Sequence, residues 1–179
     1  MKIILRNFHR YISLIISVQL LLWTISGIYF SFNKIENVRG EQYLIEETDI
    51  SEKKIEIEEK LSFEESIKII KERTTLDPIS VVLIEDSKRG SEYRGRKLPL
   101  YKVIAVNENN EEINVYQNPF SGEVVAIRSA QWRIWDIMWG LHIMDWIDRE
   151  NIGNFWLKIF SFIALLTSVS GIVLFFLRK

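Results

Sequence analysis

The sequence predicts a membrane α+β protein: two transmembrane helices flank a helix-plus-antiparallel-sheet domain, and a tryptophan- and histidine-rich helix precedes the second span. Three observations predict it. Tyr11 to Phe32 is a run of 22 residues without a formal charge, and at ~1.5 Å per residue it reaches roughly 33 Å. Ile159 to Leu177 is a second uncharged run, of 19 residues; a hydrocarbon core is about 30 Å thick, so both can cross it. Between them lies a charged segment carrying one helix-start signal and several period-two apolar runs.

The first run has the basic start of a signal peptide in Lys2, Arg6 and Arg10. Its apolar stretch exceeds the ~7–15 residues of a signal core, however, and no A-x-A-like site follows, so an uncleaved anchor is expected. Basic residues at both ends, Lys2, Arg6 and Arg10 against Arg178 and Lys179, put both termini in the cytoplasm and the middle segment outside it. That ordering divides the chain into a basic tail (1–10), a first span (11–32), an extracytoplasmic domain (33–129), an interfacial helix (130–148), a second span (155–177) and a short tail (178–179).

From Asn33 to Gln131 there are 15 Lys/Arg against 20 Asp/Glu, a net charge of −5. This balance, together with the location, excludes nucleic acid as a partner. The 179 residues include no cysteine, so the outer domain has no disulfide to lean on and must build its own core. Asn33 to Lys60 reads as a polar, acidic stalk with some strand character. Ser62 and Glu65 form a capping box, and Phe63, Ile67 and Ile70 at helical spacing extend a helix to about Arg73, with Asp77-Pro78 ending it. Ile79 to Glu85, Leu98 to Val106, Ile113 to Gln117 and Val124 to Ile127 read as strands. The basic loop from Ser87 to Lys97 is either a solvated hairpin tip or a grip for an anionic ligand or lipid head group.

Trp132, Trp135, Trp139, His142 and Trp146 recur at steps of three and four, which puts all five on one face of a helix. Four charged residues interrupt it, so a helix lying at the outer interface is expected rather than a third crossing. Its bland reading is an aromatic belt; its sharper one turns His142 inward, with Trp135, Trp139 and Trp146 walling an apolar slot. His9 and His142 are the only histidines, and in a chain without cysteine they are the side chains suited to ligate a haem iron. They belong to opposite edges of the bilayer, so one iron cannot take both from one chain, and a homodimer pairing like with like is the expected solution. Ser13, Ser17, Thr24, Gly27 and Ser31 fall near one stripe of the first span, and Ser161, Ala164, Ser168 and Gly171 near one stripe of the second. Close helix packing explains such stripes; so does a porphyrin lying flat at Gly27 or Gly171. No Ser/His/Asp set, zinc spacing or phosphate-binding glycine loop is visible.

The order of short motifs resembles the PepSY-associated transmembrane family. The pieces are His9-Arg10, Trp23-Thr24-Ile25-Ser26-Gly27, Asn118-Pro119-Phe120-Ser121-Gly122-Glu123, Trp139-Gly140-Leu141-His142-Ile143-Met144-Asp145 and Ser170-Gly171. The resemblance implies a multi-pass protein of the cell inner membrane with a periplasmic PepSY-like domain. It also implies a b-type haem, because larger four-span members include reductases linked to ferric-siderophore iron release. His9 and His142 match family histidine motifs as haem-iron ligands, and Arg10 is a candidate partner for a propionate. This chain has half the spans of those members and no flavin or nicotinamide domain, so electrons are expected from a separate cytoplasmic or quinone donor. Other family members imply the alternative, a non-catalytic, membrane-anchored interaction or regulatory module.

Overall fold

The structure, a computed structural model, describes residues 2–45 and 59–177. Most of the acidic part of the expected stalk and the closing Arg178-Lys179 lie outside the described residues. The chain divides into two compact units, one made of residues 1–32 and 136–179, the other of residues 33–135.

In the first unit, α1 (Lys2–Phe32) is one unbroken helix. The segment expected as a separate basic tail is therefore helical from Lys2 onward. Nothing in it opposes a helix, since Lys and Arg are good helix formers and no Pro or Gly interrupts before Gly27. α5 (Phe155–Phe176) packs antiparallel on α1, with His9 against Ser170 and Gly171. Asn154 caps α5 through its side-chain oxygen, which accepts from Leu157 N–H at 2.9 Å. Both helices are long and apolar enough to cross a membrane.

The packed face of α1 is not the small-residue stripe. Ile16, Gln19 and Ser26 are buried and His9, Trp23 and Phe30 half-buried, whereas Ser17, Thr24, Gly27 and Ser31 are exposed. The three hydroxyls are satisfied within the helix: Ser17 bonds Leu14 O, Thr24 bonds Leu20 O and Ser31 bonds Ile28 O. A Cβ at Gly27 would meet nothing within 4 Å. On α5 the stripe divides. Ser161 and Ser168 face outward and Ala164 and Gly171 are half-buried, while the buried positions are Thr167 and Ser170, outside the stripe.

In the second unit, α2 (Ile35–Arg39) and a 3-10 turn (Glu41–Tyr43) stand where the early part of the stalk was expected. A single antiparallel bridge from Leu44 to Thr74 ties them to the end of the next helix. α3 (Phe63–Arg73) starts at the expected box: Ser62 Oγ accepts from Glu65 N–H and the Glu65 carboxylate accepts from Ser62 N–H. The helix ends at Thr74, ahead of Asp77-Pro78, which instead opens the first strand. β1 (Asp77–Ile84), β2 (Leu100–Val106), β3 (Glu112–Gln117) and β4 (Val124–Arg128) form an antiparallel meander in sequence order. Ile70 and Leu76 press on Val103, Ala105, Ile113, Val115 and Ile127, which alternate onto one sheet face. The other face carries Leu100, Tyr116 and Ala126 under Tyr93 and Leu98 of the β1–β2 loop. Gln131 and Asn33 close the unit at its two chain crossings, Gln131 Nε2 donating to Asn33 Oδ1 at 2.9 Å.

Ile70 is fully buried, so Ile70→Ala should cost about 2–5 kcal/mol, read as faster amide exchange of β2 and β3 in the intact protein. Phe63→Ala, at a position 51% exposed, should cost much less in the same experiment.

Candidate functional site

α4 (Ala130–Ile143) ends inside the first unit, and its last four carbonyls have no partner within the helix. Each finds one elsewhere. Gly140 O accepts from Asp145 N–H at 3.1 Å. Leu141 O accepts from Gln19 Nε2 at 3.2 Å, His142 O from Trp23 Nε1 at 2.6 Å and Ile143 O from Asn154 Nδ2 at 2.7 Å. Because Gln19 lies near the middle of α1, this end of α4 docks at mid-height on that helix rather than passing its tip. The helix ends at Ile143, short of the expected 148. The chain leaves the helix after Ile143 through Met144, a residue with φ of 56°.

The return from that end is held by one carboxylate. Asp145 accepts from the N–H groups of Asp148, Glu150 and Asn151. Burial alone would raise the Asp145 pKa, but these backbone donors, with Arg149 N–H, hold it below the usual carboxylate value. Arg149 then folds back over the helix to the buried Asp136 carboxylate at 2.6 Å, and its carbonyl accepts from Trp139 Nε1 at 3.2 Å. A Cβ at position 140 would crowd this turn, coming 3.0 Å from Arg149 Cγ and 3.1 Å from Asp145 O.

That framework fixes His142. Its Nδ1 lies 2.7 Å from Ser26 Oγ, and its ring sits between Trp23 and Phe30, with centroids at 6.5 and 5.6 Å. Ser26 has one proton, and it goes to the carbonyls of Leu22 at 2.7 Å and Trp23 at 3.1 Å. Ser26 Oγ is therefore the acceptor, His142 Nδ1 carries the proton, and Nε2 keeps its lone pair. Burial lowers the His142 pKa, which favours the neutral ring.

His9 repeats the arrangement at the other end. Its Nδ1 is 2.8 Å from Ser170 Oγ, whose proton goes to Thr167 O at 2.9 Å. The same tautomer follows. Here Nε2 is not free, since Ser13 Oγ approaches it at 3.4 Å. Gly171 packs on the ring, where a Cβ would stand 3.1 Å from Cε1. Both serines open the same tripeptide, Ser26-Gly27-Ile28 and Ser170-Gly171-Ile172. His9 and Ser26 are 17 positions apart on α1, a rise of about 26 Å, so the two imidazoles are widely separated.

The other expected site residues scatter. Trp139 stays near His142, its ring 6.3 Å from Phe30. Trp135 lines a cleft in the second unit, and Trp132 is buried there beneath Arg128. Trp146 lies beyond the helix end and is 58% exposed, so the five-residue face does not form. Gly27 points outward on α1, as does Arg10, one residue round from His9. Gln19, Trp23, Ser26, Phe30 and Ser170 do the positioning, and the sequence reading missed their roles. A signal existed for Gln19, a carboxamide in the middle of an apolar run, where a polar side chain is retained to bond another helix. Among the described residues no group of three or more His, Cys, Asp or Glu side chains could hold a metal ion.

Two long apolar helices with an antiparallel sheet domain between them define a membrane protein of mixed architecture. A family model, the PepSY-associated TM region, matches residues 6–179, and the chain belongs to that family. No curated protein and no solved structure gives a match.

Removing the Arg149 guanidinium that pairs with the buried Asp136, as in Arg149→Met, should destabilise the α4 end, measured by thermal unfolding in detergent. Because the Asp145 pKa is depressed on folding, its contribution is present above the ordinary carboxylate pKa and is lost as pH falls through the folded value. The 145–151 turn should therefore loosen in acid, seen as faster exchange of the Glu150 and Asn151 amides. Asp145→Asn should remove that pH dependence.

Proposed function

We propose that this protein is a haem-binding electron-transfer component of the cell inner membrane, linked to reduction or uptake of ferric iron held in a chelate. The observation that carries the reading is the arrangement shared by its only two imidazoles. Each sets Nδ1 against a serine hydroxyl, a pairing that suits the tautomer with the lone pair on Nε2, the state a haem-ligating histidine needs, with the outer partner that such ligands use. His142 meets the requirement directly. His9 meets it once the long contact from Ser13 gives way.

A bound haem supplies a one-electron couple. The protein's share is to hold and insulate it. His9 and His142 offer Nε2, Gly171 lets the backbone approach the His9 ring, and Trp23, Phe30 and Trp139 keep the His142 end apolar. Arg10 is exposed beside His9 and suits a carboxylate. Both histidines cannot reach one iron across about 26 Å, so the reading calls for a homodimer or another subunit to complete each site. It also calls for a separate cytoplasmic or quinone donor. The basic ends of the chain support cytoplasmic termini and a periplasmic sheet domain.

His142→Ala should abolish one haem absorption signal in protein purified after haem-replete expression, while the membrane fold persists. Ser26→Ala should keep the ring but weaken haem affinity about 10–100-fold, the usual effect of losing such an outer partner. Colourless wild-type protein under those conditions overturns the reading and leaves a membrane-anchored interaction module.

A further inference from the structure

The second unit contains a cleft of about 400 Å3, floored by β4 and walled by Ile35, Val38 and Leu44 on one side and by Trp132 and Trp135 on the other. Three guanidinium groups, Arg128, Arg96 and Arg39, and the Glu41 carboxylate also line it. Arg128 is only 9% exposed. Its Nε donates to Glu92 O and its Nη1 to Ile127 O, both at 3.0 Å, and its plane lies 4.3 Å above the Trp132 ring. All three contacts are to neutral groups, so they orient the cation without neutralising it.

The Glu92 carboxylate is committed elsewhere. Glu92 Oε1 accepts from Arg133 Nε at 2.7 Å, and Oε2 accepts from Asn114 Nδ2 at 2.7 Å and from Tyr116 OH at 3.0 Å. Arg39, also on the lining, is balanced at long range by Glu41 at 4.0 Å. Among the described residues neither Arg96 nor Arg128 makes an ion pair. The Arg128 pKa falls to about 10, first through burial and then through the nearby charge of Arg96, with Glu92 opposing. Burying a cation is costly unless an anion meets it, and a guanidinium fork is matched in geometry by an oxyanion.

We propose that this cleft binds a carboxylate or phosphate monoester carried on an apolar body, the oxyanion meeting Arg128 and Arg96 and the body lying along Ile35, Val38, Leu44 and Trp135. Such a group occurs both in free acids and in lipid head groups, and the chemistry of recognition is the same for each. The site is independent of the two histidines, so it stands whether or not the protein holds haem.

Isothermal titration of full-length protein in an uncharged detergent with hexyl phosphate tests this, with hexanol as the uncharged control. Saturable binding is expected for hexyl phosphate and none for hexanol. Added salt should weaken it, and Arg96→Gln and Arg128→Gln should each weaken it at least tenfold. Arg96 is exposed, so Arg96→Gln keeps the wild-type melting temperature and decides the matter even if Arg128→Gln does not fold. In nanodiscs, phosphatidylglycerol that abolishes hexyl phosphate binding identifies a lipid head group as the occupant. Equal affinity in phosphatidylcholine discs with and without phosphatidylglycerol identifies a free molecule. No saturable hexyl phosphate binding in micelles, or equal affinity in wild type and Arg96→Gln, overturns the proposal.

Discussion

A helix that stops among apolar side chains must still satisfy its last four carbonyls, and in this protein the end of α4 is where that demand falls. A buried carbonyl left unpaired costs several kcal/mol. The chain answers with four unrelated donors: a backbone N–H from its own return turn, an amide and an indole from α1, and an amide from the cap of α5. Those bonds are what hold α1, α4 and α5 together at one level. They explain at once why Gln19 is tolerated in a membrane helix, why Trp23 is an indole, and why Asn154 opens α5.

The imidazole of His142 is a consequence of this arrangement. Once its carbonyl is bonded by Trp23, its ring has few places to go, and Ser26 takes Nδ1 one turn further along α1. Serine on a helix spends its proton on the preceding turn, so it presents only lone pairs to a neighbour. A serine in that state selects one imidazole tautomer without carrying any charge. The same device at Ser170 acts on His9, which makes the two ends of the bundle chemically alike although their surroundings differ.

The sheet domain was largely legible in the sequence. Its helix began and ended within a residue of the expected positions, since the capping box and the apolar spacing are local signals. The four strands were read from alternation, which one buried face imposes. The helical unit was less legible. Its small residues suggested a packing stripe, but hydroxyls satisfied inside their own helix have no need to face a partner, and the true seam is made of larger side chains. The tryptophan periodicity also ran past the real end of α4. Steps of three and four do not reveal a left-handed residue at Met144, and the Asp145 turn that follows depends on donors several residues on. Arg128 lay just past the strand read as Val124 to Ile127; its burial over Trp132 arises from tertiary packing that a strand pattern does not encode.

Because α1 is continuous from Lys2 to Phe32, it serves as a rigid gauge between the ring it carries at position 9 and the acceptor it carries at position 26. Seventeen steps of ~100° leave those two side chains about 100° apart in azimuth, so one addresses α5 and the other α4. Any change in the number of residues between them would alter rise and azimuth together, with no loop available to absorb the error. The spacing is thus a quantity the helix can hold constant only by keeping its length.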